Sequence, residues 1–186
     1  KELIENSKYF NKPFITKHNR GGRGLGVKYF KNTIELEKYV NSKEFEDSID
    51  GTTLLQEYIF SNEQVITRVE FVKGKFLYAV QVDTSEGFQL CPADPCNIEE
   101  KFCPSNPNGK KFMILENYNN LEIEKYEKLL KANEIEVAGI EYIVNKEGEH
   151  FTYDINTNTN YNSLAEKKST KKGMETIANF LNNELK

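Results

Sequence analysis

The chain has 186 residues, 38% of them hydrophobic and 29% charged, and its 25 basic against 29 acidic side chains give a net charge of −4. That length supports one sizeable core or two small lobes. The charge lacks the basic surplus of a nucleic-acid-binding module, and the longest apolar run, Phe76 to Val80, is far short of the roughly 18 residues a membrane span needs. No basic-then-apolar leader opens the sequence and Lys1 stands where a Met is usual, so the expectation is a processed chain or cut fragment that works in the cytoplasm.

Residues 13–17, PFITK, read as a short strand with Pro13 at its mouth, where a missing N–H does least harm. The chain then passes through HNRGGRGLG and re-emerges as a β-prone run at Val27 to Phe30. Asn32 followed by Glu35 resembles a capping box and predicts an amphipathic helix to Val40, with Leu36, Tyr39 and Val40 on one face. Leu54 to Ile59 reads as a buried strand. Val65 to Val72 and Lys75 to Val82 flank Lys73-Gly74, a strong hairpin signal.

Residues 84–111 hold four of the five prolines and the three cysteines, and read as a long irregular excursion. Cys91, Cys96 and Cys103 are an odd number and lack the Cys-x-x-Cys chelate of most structural zinc sites, so free thiols in a reducing compartment are expected. Asn119 with Glu122 predicts a further cap, opening a helix that carries Ile123, Tyr126, Leu129 and Leu130. A second hairpin is predicted from Ile135 to Val144 and Glu149 to Asn156 around Glu147-Gly148. A last helix carries Met174, Ile177, Ala178, Leu181 and Leu185 as an apolar stripe. Helices alternating with antiparallel hairpins make the fold class α+β.

Two segments call for a chemical reading. GGRGLG at 21–26 spends four glycines in six positions, which costs backbone entropy and implies a use for their freedom. Backbone N–H groups without side chains in the way can cradle phosphate oxygens. A P-loop and a dinucleotide fingerprint both open a helix, whereas Val27 opens a strand here. What remains is a strand–loop–strand flap with Lys17, Arg20 and Arg23 supplying positive charge, or a plain hairpin tip.

The second segment is the 135–156 hairpin. Residues two apart on a strand face the same way, so Asp154 and Asn156 share one face of TYDIN, and Tyr153 and Ile155 the other. With a two-residue turn, Glu141 lies directly opposite Asp154. Carboxylates that close repel unless a cation lies between them or one is protonated. Two carboxylates and an amide carbonyl are hard oxygen ligands suited to Mg²⁺. A solvated hairpin face is the alternative, but Glu141 sits in an otherwise apolar strand, VAGIEYIV.

In this order the segments resemble the ATP-grasp superfamily, and within it the RimK-like glutamate ligases, over essentially the whole chain. PFITKHNRGGRGLGV is similar to the strand, lysine and glycine-loop block of that family, LLQEYI to its adenine hinge, and ITRVEFVKGKFLYAV to its arginine-bearing hairpin. VAGIEYIV and TYDINTNTN are similar to its paired metal-binding strands. The resemblance implies two α+β lobes with antiparallel sheets gripping ATP, residues 1–59 as the central lobe and 60–186 as the C-terminal lobe, with no counterpart of the N-terminal lobe.

The resemblance further implies that Lys17 ligates the ATP phosphates and that Gly22, Arg23, Gly24 and Gly26 form the covering loop. Gln56, Glu57, Tyr58 and Ile59 hold adenine, Glu63 reaches the ribose, and Arg68 neutralises the transferred phosphoryl group. Glu141, Asp154 and Asn156 hold Mg²⁺ or Mn²⁺, and Asn158 reaches phosphate or substrate. Three features depart from the family pattern. The carboxylates run Glu then Asp, Ile66 stands where an Asp is usual, and NTNTNYN replaces a segment that usually contains Pro-Gly. The implied activity is ATP-dependent joining of a small-molecule or peptide carboxylate to an amine. A nucleotide-binding regulatory module without ligase activity, and a structural interaction domain, are the alternatives.

Overall fold

The strands form two antiparallel sheets, in a computed structural model that describes residues 1–20, 26–84, 112–115, 117–167 and 169–186. The elements fall into two compact units, Lys1–Phe60 and the chain from Ser61 onward.

In the first unit, α1 (Glu2–Ser7) precedes β1 (Phe14–His18), β2 (Lys28–Phe30), α2 (Thr33–Val40) and β3 (Thr53–Glu57), and the sheet order is β2-β1-β3. The core is small and aromatic: Phe14, Phe30 and Leu36 are buried, with Phe10, Tyr39 and Leu55 packed around them. The α2 cap forms as the sequence predicts. Asn32 Oδ1 accepts from Glu35 N at 3.1 Å, and Glu35 Oε2 reaches back to Lys31 N at 2.9 Å. The segment expected as a buried strand, β3, is instead an edge strand with no fully buried residue.

In the second unit, β4 (Val65–Val72), β5 (Lys75–Asp83), β6 (Phe112–Leu115), α3 (Glu122–Ala132), β7 (Val137–Val144), β8 (His150–Asn156), α4 (Ser163–Glu166) and α5 (Gly173–Glu184) follow, with sheet order β6-β5-β4-β7-β8. The β4–β5 turn has two residues, Lys73 at φ 56° and Gly74 at φ 64°, the pair of left-handed conformations that matches strand twist. One sheet face makes the core. Val69, Phe71, Ala79, Ala138, Ile140 and Tyr142 pack under Tyr126 and Leu130 of α3.

Two expectations change here. The α3 start is held by Asn120, whose Oδ1 accepts from Glu122 N at 3.0 Å, and not by Asn119. The apolar stripe on α5 is largely exposed, Met174 at 64% and Leu181 at 53%, and the helix buries Gly173 and Phe180 instead. Residues 85–111, nearly all of the segment expected as an irregular excursion, lie outside the described residues, and β6 follows them. Cys91, Cys96 and Cys103 lie outside the described residues.

Candidate functional site

The opposite face of the larger sheet carries a buried polar patch, an arrangement that needs internal partners to be stable. Strand register sets it out. Arg68 pairs with Glu141 and Glu141 with Asp154, so the three side chains stand in one row across β4, β7 and β8. Glu70, Gly139 and Asn156 form the next row.

The expected opposition of Glu141 and Asp154 holds, though by a different route. Val144 pairs with His150, so the hairpin loop is Asn145–Glu149 and not the two residues Glu147-Gly148. That offset is restored by a bulge: Tyr142 faces Thr152 while Glu141 faces Asp154, which leaves Tyr153 as the extra residue. The bulge breaks the period of two and brings Tyr153 to the side of Glu141. Its hydroxyl donates to Glu141 Oε2 at 3.0 Å, where strict alternation puts it on the far face.

Arg68 is the centre of the network. Nε donates to Glu70 Oε1 at 2.6 Å, Nη1 to Glu141 Oε1 at 3.2 Å, and Nη2 to Thr159 Oγ1. The Thr159 hydroxyl in turn donates to Glu70 Oε2 at 2.8 Å. Arg68, Glu141 and Thr159 are each 8% exposed and Glu70 2%. Burial works against the Arg68 charge, but Glu70 and Glu141 outweigh it and hold the guanidinium above its ordinary pKa. Burial and the Glu141 charge push the Tyr153 phenol well up, so it stays a neutral donor. Gly139 makes the room, since a Cβ there would lie 2.7 Å from Arg68 Nε and Nη2.

A second buried contact closes beside it. Tyr78, opposite Glu70 in the register, donates to Glu166 Oε1 at 2.6 Å, and the same oxygen accepts from Gly173 N at 2.6 Å. The Tyr161 ring lies against Gly173, where a Cβ would clash at 2.3 Å. These contacts fasten the segment after β8 over the polar face.

In the first unit, Lys17 is half-buried on β1 and pairs in register with Leu54. Gly26 closes the glycine loop at φ +78°, and a Cβ there would meet His18 Nδ1 at 2.8 Å, so the position requires glycine. Gly22, Arg23 and Gly24 lie outside the described residues. Before the loop, Asn19 Nδ2 donates to Asp50 Oδ2 at 2.8 Å, the bond that chiefly holds the Asp50 carboxyl below its ordinary pKa. Gln56 and Glu57 end β3, and Tyr58 N donates to Pro13 O at 2.9 Å. Glu57 forms an exposed ion pair with Lys12 at 3.1 Å. Glu63 is exposed at the start of the second unit, and Asn158 N donates to Asn156 Oδ1 at 2.8 Å in a tight turn.

Among the described residues no three His, Cys, Asp or Glu side chains converge as a metal cage. The donor set is two carboxylates and an amide. That set fits a hard cation whose other positions are filled by phosphate and water. Glu141 Oε1 accepts from Arg68 and Oε2 from Tyr153, so both carboxylate oxygens are oriented by fixed donors.

Glu70, Thr159, Gly139 and Tyr153 were not singled out by the sequence. For Glu70 the signal existed, because a second charge two residues from Arg68 on an apolar strand raises the question already asked of Glu141. Thr159 and Gly139 carry no such signal, since their roles come from register and space.

No family model matches the chain, and no curated protein is similar to it in sequence. Solved structures are similar in fold. D-cycloserine synthetase DcsG superposes with a TM-score of 0.65 at 12% identity, over all of this chain and 60% of that one. A RiPP-associated ATP-grasp ligase from Chryseobacterium gregarium, in complex with ADP and a leader and core peptide, gives 0.62 at 16% identity, over 98% and 51%. The ATP-grasp ligase PsnB, complexed with a minimal precursor, Mg and ADP, gives 0.61 at 12% identity, over 100% and 50%. The chain thus has the α+β fold of ATP-grasp ligases and spans between half and three-fifths of the length of these structures.

Proposed function

We propose that the chain is the ATP- and Mg²⁺-dependent core of a RimK-like ligase that activates a carboxylate as an acyl-phosphate for attack by an amine. The observation that carries this reading is the row Arg68–Glu141–Asp154, with Asn156 one step on. A fixed cation stands next to two opposed carboxylates and an amide oxygen, an arrangement suited to a phosphate group that shares a metal with the protein. The ADP, Mg and peptide named for the similar structures support the same classes of ligand.

In this reading Lys17 and Arg68 neutralise phosphate charge, and the glycine loop ending at Gly26 covers the phosphates with backbone N–H groups. Because the Tyr58 amide is bonded to Pro13, adenine recognition by residues 56–59 falls to the neighbouring backbone and to Gln56. Glu63 takes the ribose. Glu141, Asp154 and Asn156 hold the metal, which when bound screens the phosphate charge. Tyr153 keeps Glu141 oriented, and Asn158 faces phosphate or substrate. The substrates are a small-molecule or peptide carboxylate and an amine, and the setting is the cytoplasm.

The test is Asp154→Asn, which keeps shape and removes one charge. Titrating ATP into both proteins in Mg²⁺ and in EDTA, the account expects a sharp loss of affinity only in Mg²⁺. Equal affinities in Mg²⁺ contradict it. ADP release that depends on an added carboxylate and amine separates a ligase from a regulatory nucleotide-binding module.

A further inference from the structure

We propose that Glu70 and Thr159 are positioning residues that fix the plane of the Arg68 guanidinium before any ligand arrives. The inference rests on the reading above, in which Arg68 meets a phosphoryl group. Neither residue belongs to the hard-oxygen set of Glu141, Asp154 and Asn156. At 2% and 8% exposure both are shielded by the protein, so they act through Arg68.

The geometry gives the guanidinium a defined seat. Glu70 takes Nε at 2.6 Å and Thr159 takes Nη2, and the threonine proton closes the ring back onto Glu70 at 2.8 Å. Gly139 forms the floor, leaving no space on the third side. Glu141 holds Nη1 more loosely, at 3.2 Å, and is the one partner also placed to serve a metal. Should Glu141 turn toward a metal, Glu70 and Thr159 still determine where the fork points. The seat orders the arginine side chain in advance, so less rotamer entropy is lost when a ligand binds.

Thr159 lies in NTNTNYN, the segment that departs from the family's usual Pro-Gly. Its hydroxyl joins that segment, and Asn158 within it, to a β4 arginine 91 residues away in sequence. Asn158 and the Arg68 fork therefore share one support.

The experiment is a double-mutant cycle on the chain. It is read by calorimetric titration of a non-hydrolysable ATP analogue in Mg²⁺, with a melting curve for each protein. Thr159→Val removes the hydroxyl and keeps the shape. It is expected to weaken binding about tenfold, the size of one hydrogen bond to a charged group. Thr159→Ser is expected to stay within about twofold of wild type, because the hydroxyl is what acts. In an Arg68→Gln background, Thr159→Val is expected to change nothing further. Should Arg68→Gln fail to fold, Arg68→Lys replaces it, since lysine keeps the charge without the fork. Coupling between Arg68 and Glu70 is read the same way, with Glu70→Gln in place of the threonine change.

An equal loss from Thr159→Val in both backgrounds marks a merely structural role and overturns the proposal, as does wild-type affinity in Thr159→Val. Wild-type affinity in the Arg68 variant overturns the placement of Arg68 at phosphate, and the positioning proposal falls with it. A weakened Arg68 variant beside an additive Thr159 effect overturns positioning alone.

Discussion

Gly139 is where the polar network is most exposed to a single change. A Cβ at that position falls 2.7 Å from two Arg68 nitrogens, and neighbours essentially never approach so closely. Gly139→Ala therefore displaces the guanidinium from its seat against Glu70 and Thr159. The expected cost is about 1–3 kcal/mol of stability, as for overpacking a close-fitted interior, together with weaker nucleotide binding in Mg²⁺. A melting curve and an ATP titration check both, and an unchanged pair of values contradicts the described packing. At this scale the site was only partly legible before the fold was known. The opposition of Glu141 and Asp154 was legible from the hairpin register, and Glu141 drew notice because a carboxylate in an apolar strand is costly without a partner. The partner that the structure supplies is Arg68, joined by Tyr153, and Tyr153 was hidden because one bulge undoes the alternation on which the reading depended.

Elements read well from the sequence where a local signal fixes them. Lys73-Gly74 predicts its hairpin because both residues take left-handed backbone, and the Asn32–Glu35 pair predicts α2 because both of its bonds form. The strand β6 has four residues and no such bounding signal, and the apolar stripe of α5 names a face without saying what covers it. α3 is tied to the β4–β5 hairpin by a contact that periodicity does not reveal. Glu127 Oε2 accepts from Lys75 Nζ at 2.7 Å and Oε1 from Phe76 N at 3.0 Å. The lysine bond, then the backbone bond, holds the Glu127 carboxyl below its ordinary value of 4.5. A lowered folded value means that this contribution is complete above that ordinary value and is lost as pH falls through the folded one. Glu127→Gln keeps the Phe76 acceptor and removes the charge, so it is expected to cost about 0.5–1 kcal/mol near neutral pH. The difference from wild type should vanish in acid. A difference that persists unchanged below the carboxylate range contradicts the assignment.

For the molecule as a whole, the order of the segments was more legible than any one of them. A strand and glycine-rich segment, the strand Thr53–Glu57, an arginine hairpin and a carboxylate hairpin follow one another, and the chain has the ATP-grasp fold that this order implies. The contacts of the residues after Asn156 were not legible, because that segment departs from the pattern the resemblance implies and its contacts arise from the tertiary fold. If the chain binds nucleotide, ATP with Mg²⁺ at a hundred times its Kd stabilises it by about 2.7 kcal/mol in a thermal-shift measurement. No shift favours a structural interaction domain. Since the chain spans little more than half of the ligases it matches, residues 1–186 alone are expected to bind nucleotide but turn over poorly, because alignment of the reactants requires every wall of a site. Ligation by this chain at the rate of a longer one contradicts that expectation.

The central claim is that the Arg68–Glu141–Asp154 row, with Asn156, is a metal–phosphate site. A crystal structure of the chain with Mg²⁺ and a non-hydrolysable ATP analogue tests it most directly. The account predicts an ion coordinated by oxygens of Glu141, Asp154, Asn156 and the phosphates, with the Arg68 guanidinium, still seated on Glu70 and Thr159, facing the terminal phosphate. Nucleotide bound with its metal held elsewhere, and the carboxylate row unchanged, would contradict it.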